Sequence, residues 1–409
     1  MGDQALLTIG PSRRPAVRFA AAAVALALAS GTAAAQRPTA APTGPASPPS
    51  AQASGGPVER ARAALAAGRA AEAMALAEGV LAVKPDDRGA TDVVVRVLAG
   101  RDDIDGALAV YERFVGHAKA EDAALLAPIA TAMLDRLSKD PLPETAAAAL
   151  EQLARGGDAK SEQRLKDLAK SRDPRASSIH ALAALVRLGD EAAAADLAAV
   201  AASGPSGSRI LAIDVLSRHA PARVVPLLSS AIVDPDMMVQ AAAIDAAGRA
   251  GARDLLPTLE RAAAGASPFI RIYVAIAQHQ LGVPGARPRL EAALTGPYAD
   301  AVLLAASAFP PDDAARIAAL RPLLEDENRL VAIRAAALLL TTTERPAAAR
   351  VLVSAIDDLN RVVREEAALA LAGDQTPDIA SLHRLLRDGS TISRLRASTG
   401  ILGSVKAGR

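Results

Sequence analysis

Eight short turn signals, set 29 to 33 residues apart, constrain this chain more than any other feature of its sequence. Asp173, Gly204, Asp234, Ser267, Gly296, Asp326, Asp358 and Asp388 each precede a helical pattern, and Pro directly follows the first five. A cap-type residue followed by Pro opens a helix. The cap side chain accepts an orphan backbone N–H, and Pro at the first helical position has none to lose. Nine residues past the landmarks stand Leu182, Ile213, Ala243, Ile276, Ala305, Ala335, Ala367 and Ala397, all apolar. A shorter apolar stripe precedes the landmarks, as in Leu227-Leu228, Leu320 with Leu323-Leu324, and Leu382 with Leu385-Leu386. Each unit therefore reads helix, tight turn, helix. Two helices of this length cannot cover their own apolar faces, so neighbouring units must stack into a continuous core.

These units resemble the HEAT repeats, in particular their short bacterial form, over residues 158 to 403. In that family a turn Asp and an Arg six residues later form a ladder between adjacent units. Asp358 with Arg364 and Asp388 with Arg394 fit that pattern, whereas Asp234 is followed by Gln240 and Asp326 by Ala332. The expected fold is all-α, a right-handed α-solenoid of stacked antiparallel helix pairs. Upstream, Gly68-Arg69-Ala70-Ala71-Glu72-Ala73 with Leu81 and Pro85 resembles the second half of a tetratricopeptide repeat. There Gly makes the turn, Ala lets two helices approach and Pro stops the second helix. Ala107, in Ile104-Asp105-Gly106-Ala107 ahead of Tyr111 and Phe114, follows Ala73 by 34 residues, the repeat length of that family. The first helix lacks the family's aromatic positions and no third unit follows.

The N-terminus is expected to lie outside the fold. Arg13, Arg14 and Arg18 precede an 11-residue apolar run from Phe19 to Ala29, then Ser30-Gly31 and Ala33-Ala34-Ala35 before Gln36. That order is the signature of a secretory signal peptide cleaved after Ala35, and the run is short of the roughly 20 residues a membrane span needs. The Sec and twin-arginine routes both remain open. The expected organisation is a signal peptide at 1–35 and a Pro/Ala/Ser-rich disordered linker at 36–57. Tetratricopeptide-like hairpins at 58–118, connecting helices at 119–157 and HEAT-like repeats at 158–409 follow. The mature protein is then expected in the periplasm or outside the cell, without membrane insertion.

Composition narrows the chemistry. The chain has no Cys, which excludes thiolate metal sites, thiol nucleophiles and disulfides. Its formal net charge is +1, without the basic excess of a nucleic-acid binder, and Trp is absent. The five histidines, His117, His180, His219, His279 and His383, are too far apart to share a helical turn. Arg101 to Glu112 has Asp103, Asp105, Gly106 and Glu112 at calcium-loop spacings, but Arg101 occupies the first ligand position, where a cation repels calcium. Gly204-Pro205-Ser206-Gly207-Ser208 lacks the spacing of a nucleophile elbow and reads as a turn. No catalytic residue, metal site or cofactor is expected.

Two groups of binding residues are nominated. Two residues past the landmarks, six units carry polar side chains (Arg175, Ser206, Asp236, Asn328, Asn360, Ser390), whereas two adjacent units carry Phe269 and Tyr298, which suits either a peptide-binding anchor or a pair of rings folded back onto the core stripe whose helical phase they share. The tail from Ser381 carries Arg384, Arg387, Arg394, Arg396, Lys406 and Arg409 against Asp388 alone, which suits either a solvated outer cap or an acidic partner. The function expected is a non-enzymatic scaffold that binds another protein or a peptide segment, and not nucleic acid. The competing readings are an enzyme on the same architecture, such as the bilin lyases and alkylpurine DNA glycosylases that share it, or a purely structural spacer.

Overall fold

The structure is a computed structural model that describes residues 55–170 and 177–408. The export segment with its cleavage site, the linker up to residue 54, the landmark Asp173 with Arg175, and Arg409 lie outside the described residues. Among the described residues there are 22 α-helices and no strand. Four helices form two hairpins in the segment where tetratricopeptide-like units are expected: α1 (Pro57–Ala66), α2 (Ala70–Leu81), α3 (Arg88–Gly100) and α4 (Ile104–Ala118). Gly68 makes the first turn with φ +76°, a left-handed conformation that glycine adopts without penalty. Ala73 and Ala107, the close-packing pair expected there, are both fully buried. The 34-residue period also returns in ion pairs, Arg88 with Asp122 and Asp102 with Arg136.

The remaining helices are α5 (Ala123–Leu137), α6 (Pro143–Arg155), α7 (Ala159–Ala169), α8 (Ser177–Arg187), α9 (Glu191–Ser203) and α10 (Ser206–His219). They continue with α11 (Pro221–Ala231), α12 (Met237–Arg249), α13 (Leu256–Ala263), α14 (Pro268–Gln280), α15 (Ala286–Leu294) and α16 (Ala299–Ala306). The chain ends with α17 (Ala314–Leu320), α18 (Arg329–Leu339), α19 (Arg345–Ala355), α20 (Arg361–Ala372), α21 (Ile379–Leu385) and α22 (Thr391–Ala407). One layer is the series α6, α8, α10, α12, α14, α16, α18, α20 and α22, each packed on the next of the series. The intervening odd-numbered helices form the other layer. All eight apolar residues nine positions past the landmarks are buried, none above 8% exposed. Five of them are Ala, which allows the helices of this layer to approach closely. Gly248 shows the same economy of side chain, since a Cβ there would lie 2.7 Å from Ala277 Cα of the adjacent helix.

The last repeat is not a solvated outer cap, as one reading of its basic tail had it. Helix α22 packs against α20 on one side and, from the far end of the chain, against α5 and α6 on the other. One apolar cluster accordingly unites residues from Ala61 to Ala149 with residues from Ala275 to Ile401. A second cluster joins Ala147 to Leu281. The array closes on itself because α5 offers the same kind of small-residue and aliphatic face that a further repeat would. Closure buries two stacking faces that an open array would leave wet. Polar contacts finish the seam. Tyr111 meets His383 edge to face at 4.9 Å, Tyr111 Oη donates to Glu121 at 2.6 Å, and the imidazole nitrogens lie 3.4 Å from Glu121 and 3.7 Å from Glu112.

Candidate functional site

The landmark turns line one edge of the array, and their geometry differs from the sequence expectation in an informative way. Asp234, Asp326, Asp358 and Asp388 do not cap their helices. Each accepts the backbone N–H two residues on, from Asp236 (2.9 Å), Asn328 (2.8 Å), Asn360 (2.8 Å) and Ser390 (2.7 Å). Those second residues are the caps: Asp236 accepts from Met238 N, Asn328 from Leu330 N, Asn360 from Val362 N and Ser390 from Ile392 N. An aspartate that turns the chain through its own side chain needs two residues to do so, which moves the cap downstream. The polar column two past the landmarks is therefore largely a capping column.

This register separates the two nominated aromatics. Ser267 caps α14 itself, accepting from Ile270 N at 3.3 Å, so Phe269 lies within the first turn of the helix. It is half-buried, and its ring meets Tyr273 edge to face at 4.9 Å. Tyr298 occupies the cap position of α16, makes no side-chain cap, and is 75% exposed. A ring in a position that elsewhere caps is an exposed apolar group with no local structural task.

The turns are tied to one another. Arg209 pairs with Asp234 of the next unit, Arg329 reaches Asp358 at 3.4 Å, and Arg364 spans two units by donating to Asp388 Oδ2 and to the carbonyl of Asp358, both at 2.7 Å. Ser267 Oγ approaches Met237 Sδ at 3.8 Å. The ladder expected from Asp358 and Arg364 is present, and at Asp234 it is completed by Arg209, five rather than six residues past its landmark. Gln240, the departure noted in the sequence, instead donates to Ile232 O at 2.9 Å. Arg394, paired by its spacing with Asp388, instead has its Nε buried without a hydrogen-bond partner.

Along this edge the large apolar side chains Val233, Met237, Tyr298, Leu359 and Val362 are exposed, Leu359 completely. Only Tyr298 of these was nominated from sequence. The others stand one before, or one to four after, a landmark, and an apolar residue beside a cap is the signal that would have found them. Stacking covers the facing sides of the helices and leaves these turn residues open to solvent.

The nominated arginines of the tail divide. Arg384 pairs with Asp357 of the preceding repeat. Arg387 binds Glu112 of α4 through Nε at 2.6 Å and Nη2 at 3.1 Å, with Asp105 at 3.7 Å, and the Glu112 hydrogen bonds hold its pKa above the usual arginine value. The acidic partner of Arg387 is thus the chain's own N-terminal hairpin. Arg396 lies on α22, where burial and then Arg187 push its pKa down. In the calcium-like stretch, Asp103 caps α4 by accepting from Gly106 N at 2.9 Å, and Asp102 pairs with Arg136. Among the described residues no group of three His, Asp or Glu side chains is placed to hold a metal ion, and no helix is long and apolar enough to cross a membrane.

Comparison with known proteins returns one family. The model for HEAT repeats matches residues 130–217, 205–280 and 224–309, beginning inside the segment read from sequence as connecting helices. No curated protein matches. Among solved structures, human deoxyhypusine hydroxylase in complex with glycerol is similar at 19% identity and a TM-score of 0.35, over 61% of this chain and 99% of that one. An engineered protein is similar at 18% identity and a TM-score of 0.25, over 86% and 91%. Likenesses this distant carry no functional argument. The repeat period, the buried column, the stacked layers and the family match agree on an all-α repeat array that carries HEAT repeats over residues 130–309.

Proposed function

We propose that this protein is a non-enzymatic scaffold that docks another protein or a peptide segment along the turn edge of its HEAT array, and that it acts outside the cytoplasm. The observation that carries the reading is the row of exposed apolar side chains, Val233, Met237, Tyr298, Leu359 and Val362, on an edge that Arg–Asp pairs hold in place. Apolar groups fixed on a rigid support lose little conformational freedom on binding, which is the condition for an affinity anchor. The arginine-rich start, the apolar run from Phe19 and Ala33-Ala34-Ala35 support export.

The test replaces Met237, Tyr298, Leu359 and Val362 by Ser in the full chain and compares capture of partners from the cell-envelope fraction with wild type. Truncating an exposed anchor costs on the order of 2 kcal/mol of binding, so a partner held by this row should bind at least roughly thirtyfold more weakly to the variant. Stability should stay within about 0.5 kcal/mol per substitution, because these side chains are solvated already. Retention of the same partners at unchanged affinity would remove the docking edge from consideration.

A further inference from the structure

The first hairpin carries a feature that the docking edge does not use. Helix α2 packs on α1 and α3 and buries Ala73 and Ala77. A second stripe of the same helix, Leu76, Gly79 and Val83, keeps the three- and four-residue spacing of one helical face. With Ala75, Val80 and Pro57 of α1 it lines an apolar groove. Val83 is 87% exposed, Leu76 and Val80 are half-buried, and the space over Gly79 is open. The helical path continues past Leu81, since Ala82 N donates to Glu78 O at 2.9 Å and Lys84 N to Val80 O at 2.8 Å. Both ends of the stripe are charged. Glu72, one turn before Leu76, accepts from Arg69 at 2.6 Å, and Lys84, beside Val83, reaches Asp87 at 3.4 Å. The Glu72 and Lys84 side chains are themselves more than half exposed. The terminal unit of a repeat array ordinarily turns a polar face outward, whereas this one turns an apolar groove outward between an acid and a base.

An apolar stripe with an acid at one end and a base at the other is complementary to itself when turned end over end. We propose that this groove receives the same groove of a second copy of the chain, with the two α2 helices antiparallel about a two-fold axis midway between Leu76 and Gly79. In that register Leu76 of each copy enters the open space over Gly79 of the other, and Ala75 faces Val80. Val83 then covers the aliphatic stem of Glu72, whose carboxylate comes beside Lys84 of the other copy. A two-fold interface makes each of these pairs twice, so two new ion pairs close the two ends of the groove. The antiparallel arrangement also opposes the helix dipoles, whereas a parallel one would set Glu72 against Glu72 and Lys84 against Lys84. The 12 residues of α2 span about 18 Å, a face that buries less than the roughly 1,200 Å² of a stable complex. The dimer is therefore a transient one, with a dissociation constant of about 10–100 μM.

The test is sedimentation equilibrium of the full chain from about 5 to about 500 μM, a range that brackets the expected constant. Wild type should pass reversibly from monomer to dimer. Val83→Glu sets a carboxylate against Glu72 of the other copy and should weaken the dimer at least about tenfold. Its melting temperature should stay within about 1 °C of wild type, because Val83 is exposed in the monomer. Glu72→Lys or Lys84→Glu alone brings like charges together and should weaken the dimer by about three- to tenfold. Both changes in one chain should restore it to within about twofold of wild type, a rescue that only a self-complementary face can give. A monomer throughout the range would overturn the proposal and leave the groove to another segment or another protein. A dimer indifferent to Val83→Glu, or a charge-swapped chain no better than its single variants, would overturn it equally.

Discussion

Glu151→Gln tests how the array holds its consecutive repeats together. The carboxylate accepts from Arg155 Nε at 3.1 Å and Nη2 at 2.9 Å on its own helix, and from Arg187 Nε at 2.9 Å on the next helix of the layer. Its side chain is 6% exposed, whereas those of Arg155 and Arg187 are 40% and 28% exposed. Breaking a fully buried pair costs about 3–5 kcal/mol. Here water can reach both arginines once the carboxylate is gone, so about half that, roughly 1.5–2.5 kcal/mol, is expected. Glutamine keeps the shape and one acceptor oxygen, which confines the change to charge. For a protein of this size the melting temperature should fall by about 2–3 °C. Hydrogen exchange should quicken first in α6 and α8, because stability in a repeat array is local. Arg187→Gln made on the Glu151→Gln background should cost much less than it does alone. A melting temperature within about 1 °C of wild type, with unchanged exchange in α6 and α8, would show that the triad is no more than a surface pair.

Two further predictions follow from burial. Gly248→Ala should destabilise by about 1 kcal/mol or more. The added Cβ meets the backbone of Ala277 and overpacking outweighs the gain in helix propensity, whereas Gly116→Ala, with open space around it, should stabilise by up to about 1 kcal/mol; urea midpoints check both. Burial pushes the His180 imidazole below its usual value, so the unfolded chain binds the proton more readily. The stability contribution is complete above about pH 6.5 and declines as the pH falls below it, and His180→Gln should flatten that part of the stability curve.

The sequence by itself determined the period and the identity of the buried stripe. Ala305, Ala335, Ala367 and Ala397 could be assigned to the core because helical phase and repeat length are both local, and all four are buried. It misplaced the caps by two residues. Asp234, Asp326, Asp358 and Asp388 are chemically equal to caps, and only the backbone path shows that each turns the chain before the true cap begins. The sequence nominated Tyr298 but not Leu359 or Val362, since exposure of an apolar residue depends on whether a neighbour stacks over it. The tail arginines show the sharper limit. Arg387 finds Glu112 across 275 residues only because α22 closes on α5 and α6. A stacking array specifies each step to the next through local packing, but whether its first and last faces meet is set by the small rotation accumulated over all the steps. No stretch of sequence carries that sum, and the tertiary structure alone decides it.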